Sequence, residues 1–244
     1  MSKHSNTQPA RESPDEMRRR RAVETAHGAG HSGYITYEEF LDLVDEDTLA
    51  EWVDGAIVMT SAANLRHQDI SRFLLTTLGY FVRVHNLGRV IDPPFQVKLP
   101  RSGREPDVLY IANAHLDRLT PTYLDGPADL VVEIMSPESA RRDREEIFAE
   151  YQEAGIPEYW LLDPQTEQAE FYWLRTGGQY ERVALDADGV YRSRVLPGFW
   201  LRVAWLWRQP LPDPVQVLLE IDRDAFGRYL QEQLRQAGPS GTQG

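Results

Sequence analysis

The sequence predicts an α/β fold in which strands and helices are mixed, and three observations carry that reading. Residues Asp129–Met135 (DLVVEIM) are apolar apart from Asp129 and Glu133, the pattern of a central strand covered on both faces. Phe95-Gln96-Val97-Lys98-Leu99 alternates as a half-buried strand does. Before these strands, Ile70, Phe73, Leu74, Leu78 and Phe81 recur at helical spacing. At 244 residues the chain has room for one domain of ordinary core size with appendages.

Taken in order, residues 1–32 are polar, lack apolar periodicity and contain Arg18-Arg19-Arg20-Arg21, which predicts a disordered basic tail of charge about +2. Order begins at Tyr34. Thr36 with Glu39 has the form of a capping box, and Phe40, Leu41 and Val44 give a short helical stripe behind it. Asp54-Gly55 between Glu51-Trp52-Val53 and Ala56–Met59 is a hairpin signal. Asn64 can cap a helix running to about His85. Strands follow at Phe95–Leu99, Asp107–Ile111 and Asp129–Met135, the last stopped by Pro137. A charged helix is expected from about Glu138 to Ala154, with Gly155 where a helix-ending glycine belongs. Glu158–Asp163 reads as a second buried strand, and strands near 168–175, 179–185 and 199–205 form a β-rich tail. Residues 213–235 read as one amphipathic helix, with Val215, Leu218, Leu219, Phe226, Leu230 and Leu234 on one side. Its apolar side needs burial on the parent domain or in a dimer.

Composition removes several function classes. With no Cys, a disulfide scaffold, a thiolate zinc site and a thiol nucleophile are all excluded. The apolar runs fall far short of a membrane span, and the N-terminal residues lack an apolar leader, so the reading is a cytoplasmic protein with no membrane partner. Net charge is −12, and about −14 outside the tail, which disfavours nonspecific nucleic-acid binding unless a cation mediates it. No His-x-x-x-His pair lies outside the Gly-rich tail, which argues against a zinc hydrolase.

The feature that points to chemistry is Glu133, a carboxylate inside the apolar strand LVVEIM. An ionised carboxylate is almost never buried without a partner or a metal. Asp107 opens another apolar strand just after Pro106. If the two strands are neighbours, the two side chains can converge at one end of a sheet, and paired carboxylates are hard oxygen ligands suited to Mg²⁺ or Mn²⁺. Two plainer readings stand beside this one: a protonated or Arg-paired Glu133, and an ordinary strand-start Asp107. Taken alone, His67 reads as a surface residue at a helix start.

The order of motifs is more specific than any one of them. Glu51-Trp52-Val53-Asp54-Gly55 is followed by His67, then Glu105-Pro106-Asp107, then Val131-Val132-Glu133-Ile134, then Asp143, Tyr151 and the block AGIPEYWLLDP over 154–164. This series resembles the Uma-type family of restriction endonucleases, a branch of the PD-(D/E)XK nuclease superfamily, over roughly residues 34–205. The resemblance implies a restriction-endonuclease-like domain over 33–208, with a small mixed sheet flanked by helices. The domain carries extra C-terminal strands, the amphipathic helix of 209–237 follows it, and 238–244 are expected to be disordered. It also implies metal-dependent hydrolysis of DNA, with Asp107, Glu133 and Glu51 as acidic site residues and metal ligands, helped by the carbonyl of Ile134. His67 matches a histidine at the start of the following helix, and a homodimer would let the protein cut both strands.

One departure from the family stands out. The usual superfamily lysine position, two residues after the glutamate, is Met135, and the position used in Uma-type members, four after Asp143, is Ile147. The chain has two lysines, and of these only Lys98 lies in the predicted folded region. Lys98 or Arg144 could supply the missing charge, although arginine stays protonated and cannot act as a base. Two readings therefore remain open: an active nuclease using one of these cations, and a degenerate member that binds metal or nucleic acid without efficient cleavage. A paired-carboxylate hydrolase of another substrate is a third, with nothing in the chain that selects for sugar.

Overall fold

The computed structural model describes residues 34–44, 48–59, 64–136 and 143–237. The basic tail over 1–32, the stop at Pro137, the start of the helix expected from Glu138, and the end at 238–244 lie outside the described residues. The chain divides into two compact units. The smaller holds the described residues up to 59 together with Arg101–Gly103, and the larger holds the rest.

The smaller unit contains helix α1 (Tyr37–Leu43) and strands β1 (Ala50–Val53) and β2 (Ala56–Met59). Its ends are set by local chemistry. Thr36 Oγ1 accepts the N–H of Glu39 at 3.1 Å while Glu39 Oε2 accepts the N–H of Thr36 at 2.8 Å, which completes the expected capping box. The antiparallel pair β1–β2 turns through Asp54 (φ 48°) and Gly55 (φ 81°), the two positive-φ positions of a type I′ hairpin. The Trp52 indole donates to the carbonyl of Ile35 at 2.9 Å and meets the ring of Tyr37 edge-on at 5.7 Å.

The larger unit begins with helix α2 (Leu65–Val84), capped by the Asn64 side chain, which accepts the N–H of His67 at 3.0 Å. Strands β3 (Gly88–Ile91) and β4 (Gln96–Lys98) follow. Next comes β5 (Ser102–Arg104), whose Ser102 and Gly103 belong to the smaller unit and pair there with Val53 and Trp52. After β6 (Val108–Ala112), a 3₁₀ segment (Asn113–Arg118), β7 (Tyr123–Asp125) and β8 (Leu130–Ile134), a π-helical turn (Asp143–Ile147) leads into α3 (Phe148–Ala154). Then come β9 (Glu158–Asp163), β10 (Gln168–Leu174), β11 (Tyr180–Arg182), β12 (Val190–Arg192) and β13 (Trp200–Arg202). The last elements are α4 (Pro214–Ile221) and α5 (Arg223–Gln236).

Six strands form one mixed sheet in the order β11-β10-β9-β8-β6-β3. The β8–β9 pair is parallel and the other neighbours are antiparallel. The central position of β8 is what its nearly unbroken apolar run predicts. Alternation along the strands builds two cores. Val108, Tyr110, Leu130, Val132, Ile134, Trp160 and Leu162 pack with α2, α4 and α5, whereas Leu109, Ile111, Val131, Met135, Tyr159 and Leu161 pack with Ile147 and Tyr151 of the α3 segment. Gly88 is required where β3 meets β6: at φ +152°, a Cβ there would sit 2.0 Å from the carbonyl oxygen of Ile111.

The structure corrects the C-terminal reading. Residues 213–235 are two helices broken at Asp222, whose backbone (φ −149°, ψ 85°) leaves the helical region and whose carboxylate accepts the N–H of Ala225 at 2.9 Å. His85 Nε2 meets the same carboxylate at 3.4 Å. Val217, Leu218 and Phe226 are buried within their own unit, whereas Val215 and Leu234 of the same stripe are exposed. Strands β3, β5, β7 and β12 are additions that the sequence pattern did not reveal.

Candidate active site

The antiparallel register of β6 and β8 pairs Val108 with Val132 and Leu109 with Val131. Continued by one residue, it brings Asp107 level with Glu133. Asp107 sits where β6 begins and its side chain closes that end of the strand pair: Oδ2 accepts the N–H of Ile134 at 2.7 Å. In an extended strand a residue's N–H and C=O point to the same side, so the Ile134 carbonyl faces the Asp107 end as well. The other oxygen, Oδ1, lies 3.1 Å from Nε2 of His67 in the first turn of α2. His67 is buried, not the surface residue that its sequence context alone suggested.

Glu133 is contacted from the layer opposite α2. It is 8% exposed, on the face of β8 that carries Val131 and Met135, and its Oε1 accepts the hydroxyl proton of Tyr151 at 2.6 Å. Tyr151 is fully buried on α3. The next residue back, Glu150, holds the buried guanidinium of Arg104 through two bonds of 2.8 and 2.5 Å. Helix α3 is thus tied both to the strand leading into Asp107 and to Glu133.

The described contacts bring together His67, Asp107 and the strand that carries Glu133. Glu51 lies in the smaller unit, buried on β1 across from Val58. Lys98 is half-buried on β4, on the face opposite the core residue Val97, with Nζ 5.7 Å from the ring centroid of Tyr123. Both lysine positions of the family are apolar core here: Met135 is 6% and Ile147 1% exposed. The side chain of Arg144 lies outside the described residues. Among the described residues, no group of three His, Asp or Glu side chains is placed to hold a metal ion.

Sequence reasoning assigned no role to Tyr151, although its spacing of four from Ile147 puts both on one helix face. A second buried carboxylate was read only as core. Glu158, at 0% exposure, accepts from the Trp160 indole (2.8 Å), the Tyr191 hydroxyl (2.8 Å) and the N–H groups of Arg194 (2.8 Å) and Val195 (3.1 Å). Its acceptor capacity is committed to structure. His115 likewise pairs with Asp129, at 2.9 Å, and the Asp129 carboxylate also accepts the N–H of Ala112 at 2.7 Å.

Comparison with known proteins bears on the family and the fold. The family described as "Putative restriction endonuclease" (Uma2) matches residues 37–204, well over half of the chain. Among solved structures, a crystal structure of a putative nuclease belonging to DUF820 from Anabaena variabilis is similar, with a TM-score of 0.61 and 18% sequence identity. The match covers 71% of this chain and 97% of that one, and at this identity it bears on the fold alone. No curated protein matches this chain. Among the described residues, no helix is long and apolar enough to cross a membrane. The mixed α/β fold and the match over 37–204 lead to one conclusion: the chain belongs to the Uma2 family of putative restriction endonucleases.

Proposed function

We propose that this chain hydrolyses DNA phosphodiesters with the help of a divalent cation, Mg²⁺ or Mn²⁺, held by Asp107 and Glu133. The observation that carries the proposal is the β6–β8 register, which sets two carboxylates level at one end of the strand pair. The donor set fits such an ion. A carboxylate offers about four lone-pair sites, more than the contacts of Asp107 with the Ile134 N–H and His67 use. Mg²⁺ is commonly held by one or two carboxylates plus water and substrate phosphate, not by a full protein cage, so a site with fewer than three clustered side chains suits it. When bound, the ion supplies charge neutralisation at the phosphate and a more acidic water.

The chain's own residues divide the remaining work. Asp107 and Glu133 hold the ion, and the Ile134 carbonyl faces the same end. His67 steadies Asp107 from α2. Lys98 is the candidate for the missing positive charge. Glu51 enters the proposal on the family pattern alone. DNA is the substrate in this reading, and the net charge of −12 makes the cation a condition for its approach. A homodimer would let the protein cut both strands; the amphipathic stripe is buried within its own unit at Val217, Leu218 and Phe226 but exposed at Val215 and Leu234.

A second reading is favoured by one observation. Ile147, fully apolar and 1% exposed, fills the family's lysine position with core. In that case the chain keeps the fold and the ion but cleaves slowly or not at all. Loss of one charge-stabilising group costs about 10²–10³-fold in rate.

The test is cleavage of supercoiled plasmid by purified protein in Mg²⁺, Mn²⁺ or EDTA. Cleavage is expected with either ion, absent in EDTA, and absent in Asp107→Ala and Glu133→Ala. Cleavage by either variant at the wild-type rate would overturn the site assignment. Metal binding without cleavage would select the second reading.

A further inference from the structure

We infer that Tyr151 is a positioning residue for the divalent cation, acting through Glu133; the inference rests on the site reading above. Glu133 stands in a strand that is otherwise apolar, LVVEI, and is buried there. The Tyr151 hydroxyl meets its Oε1 at 2.6 Å, the length of a bond from a neutral hydroxyl to a charged carboxylate.

The donor is held in place by its own surroundings. The ring of Tyr151 is fully buried and packs edge-on against Tyr159, with centroids 5.4 Å apart. Gly155, at φ 83°, ends the helix one turn later, and the Tyr151 carbonyl takes the N–H of Ile156 at 3.1 Å. Arg104 grips the adjacent Glu150. A hydroxyl carried on a packed ring sets the orientation of the carboxylate oxygen that it meets before any ion arrives. Ligating carboxylates depend on such outer partners for 10–100-fold in metal affinity or activity. One turn earlier on the same face stands Ile147, which is apolar, while residue 151 brings a hydroxyl to Glu133.

Tyr151→Phe removes the hydroxyl and keeps the ring, so the core around Tyr159 is retained. The experiment is calorimetric titration of the full-length protein with Mn²⁺, without DNA, alongside thermal unfolding. Tyr151→Phe is expected to bind Mn²⁺ about 10–100-fold more weakly than wild type. In a Glu133→Ala background the same substitution is expected to change nothing further. Tyr172→Phe is the control. Its hydroxyl makes an equivalent 2.6 Å bond to Glu170 on β10, and its loss is expected to leave Mn²⁺ affinity unchanged. Wild-type affinity in Tyr151→Phe, or a further loss in the Glu133→Ala background, would overturn the positioning role and leave the site reading standing. Absent Mn²⁺ binding in wild type, or binding unaltered by Asp107→Ala, would overturn both.

Discussion

At Asp107 both carboxylate oxygens are engaged, one by the backbone of β8 and one by His67 from α2, so a single side chain joins a strand end to a helix start. Glu133 is held from the opposite layer by Tyr151. The residue that departs from this arrangement is Ile147. Ile147→Lys is expected to raise the plasmid-cleavage rate by up to about 10²–10³-fold, the cost of one missing stabilising group, and to lower the melting temperature, because an ammonium replaces a core side chain. Cleavage rate and thermal unfolding on the same preparation check both parts. Glu133 was legible in the sequence because a carboxylate inside LVVEIM has no apolar explanation. The level placement of Asp107 was not, because it depends on which strand pairs with which and in what register. Tyr151 belongs to the motif series, but its role was not legible: an aromatic residue in a helix reads as core, and here it is both core and donor.

Among the elements, α1, the β1–β2 hairpin and α2 were readable because their signals are local: a capping box, an Asp-Gly turn and an Asn cap. Strands β3, β5, β7 and β12 are three or four residues long and too short for alternation to show. The break between α4 and α5 was missed because the apolar stripe continues across it, while Asp222 is turned out of the helix to cap α5 and meet His85. Glu158 does similar work for β9. It fixes the backbone at Arg194 and Val195 to that strand while satisfying Trp160 and Tyr191. Glu158→Ala would strand several buried donors and is expected to cost about 3–5 kcal/mol of stability. Urea unfolding measures it, and a loss below about 1 kcal/mol would show that the network is dispensable.

For the molecule as a whole, charge and protonation set the working range. The chain carries −12, so in the proposed reading a divalent cation at the carboxylates would also ease the approach of a polyanion. At the alkaline end three tyrosines limit stability. Burial, with Asp129 nearby, pushes Tyr110 from 10.0 up to about 12. Burial also raises Tyr180, and burial together with the charge of Glu158 raises Tyr191. The unfolded chain releases these protons near pH 10 while the folded chain keeps them. Their contribution is therefore fully present below pH 10 and is lost as pH rises through the folded values. Unfolding midpoints are expected to hold steady to about pH 10 and fall from there toward pH 12; flat midpoints across that range would contradict the burial of these phenols. The most direct measurement on the site is a crystal soaked in Mn²⁺ and read by anomalous scattering. A peak about 2.0–2.2 Å from carboxylate oxygens of both Asp107 and Glu133, absent from Asp107→Ala crystals, is the expected result. A peak elsewhere, or none at saturating Mn²⁺, would contradict the assignment of these two carboxylates as the metal site.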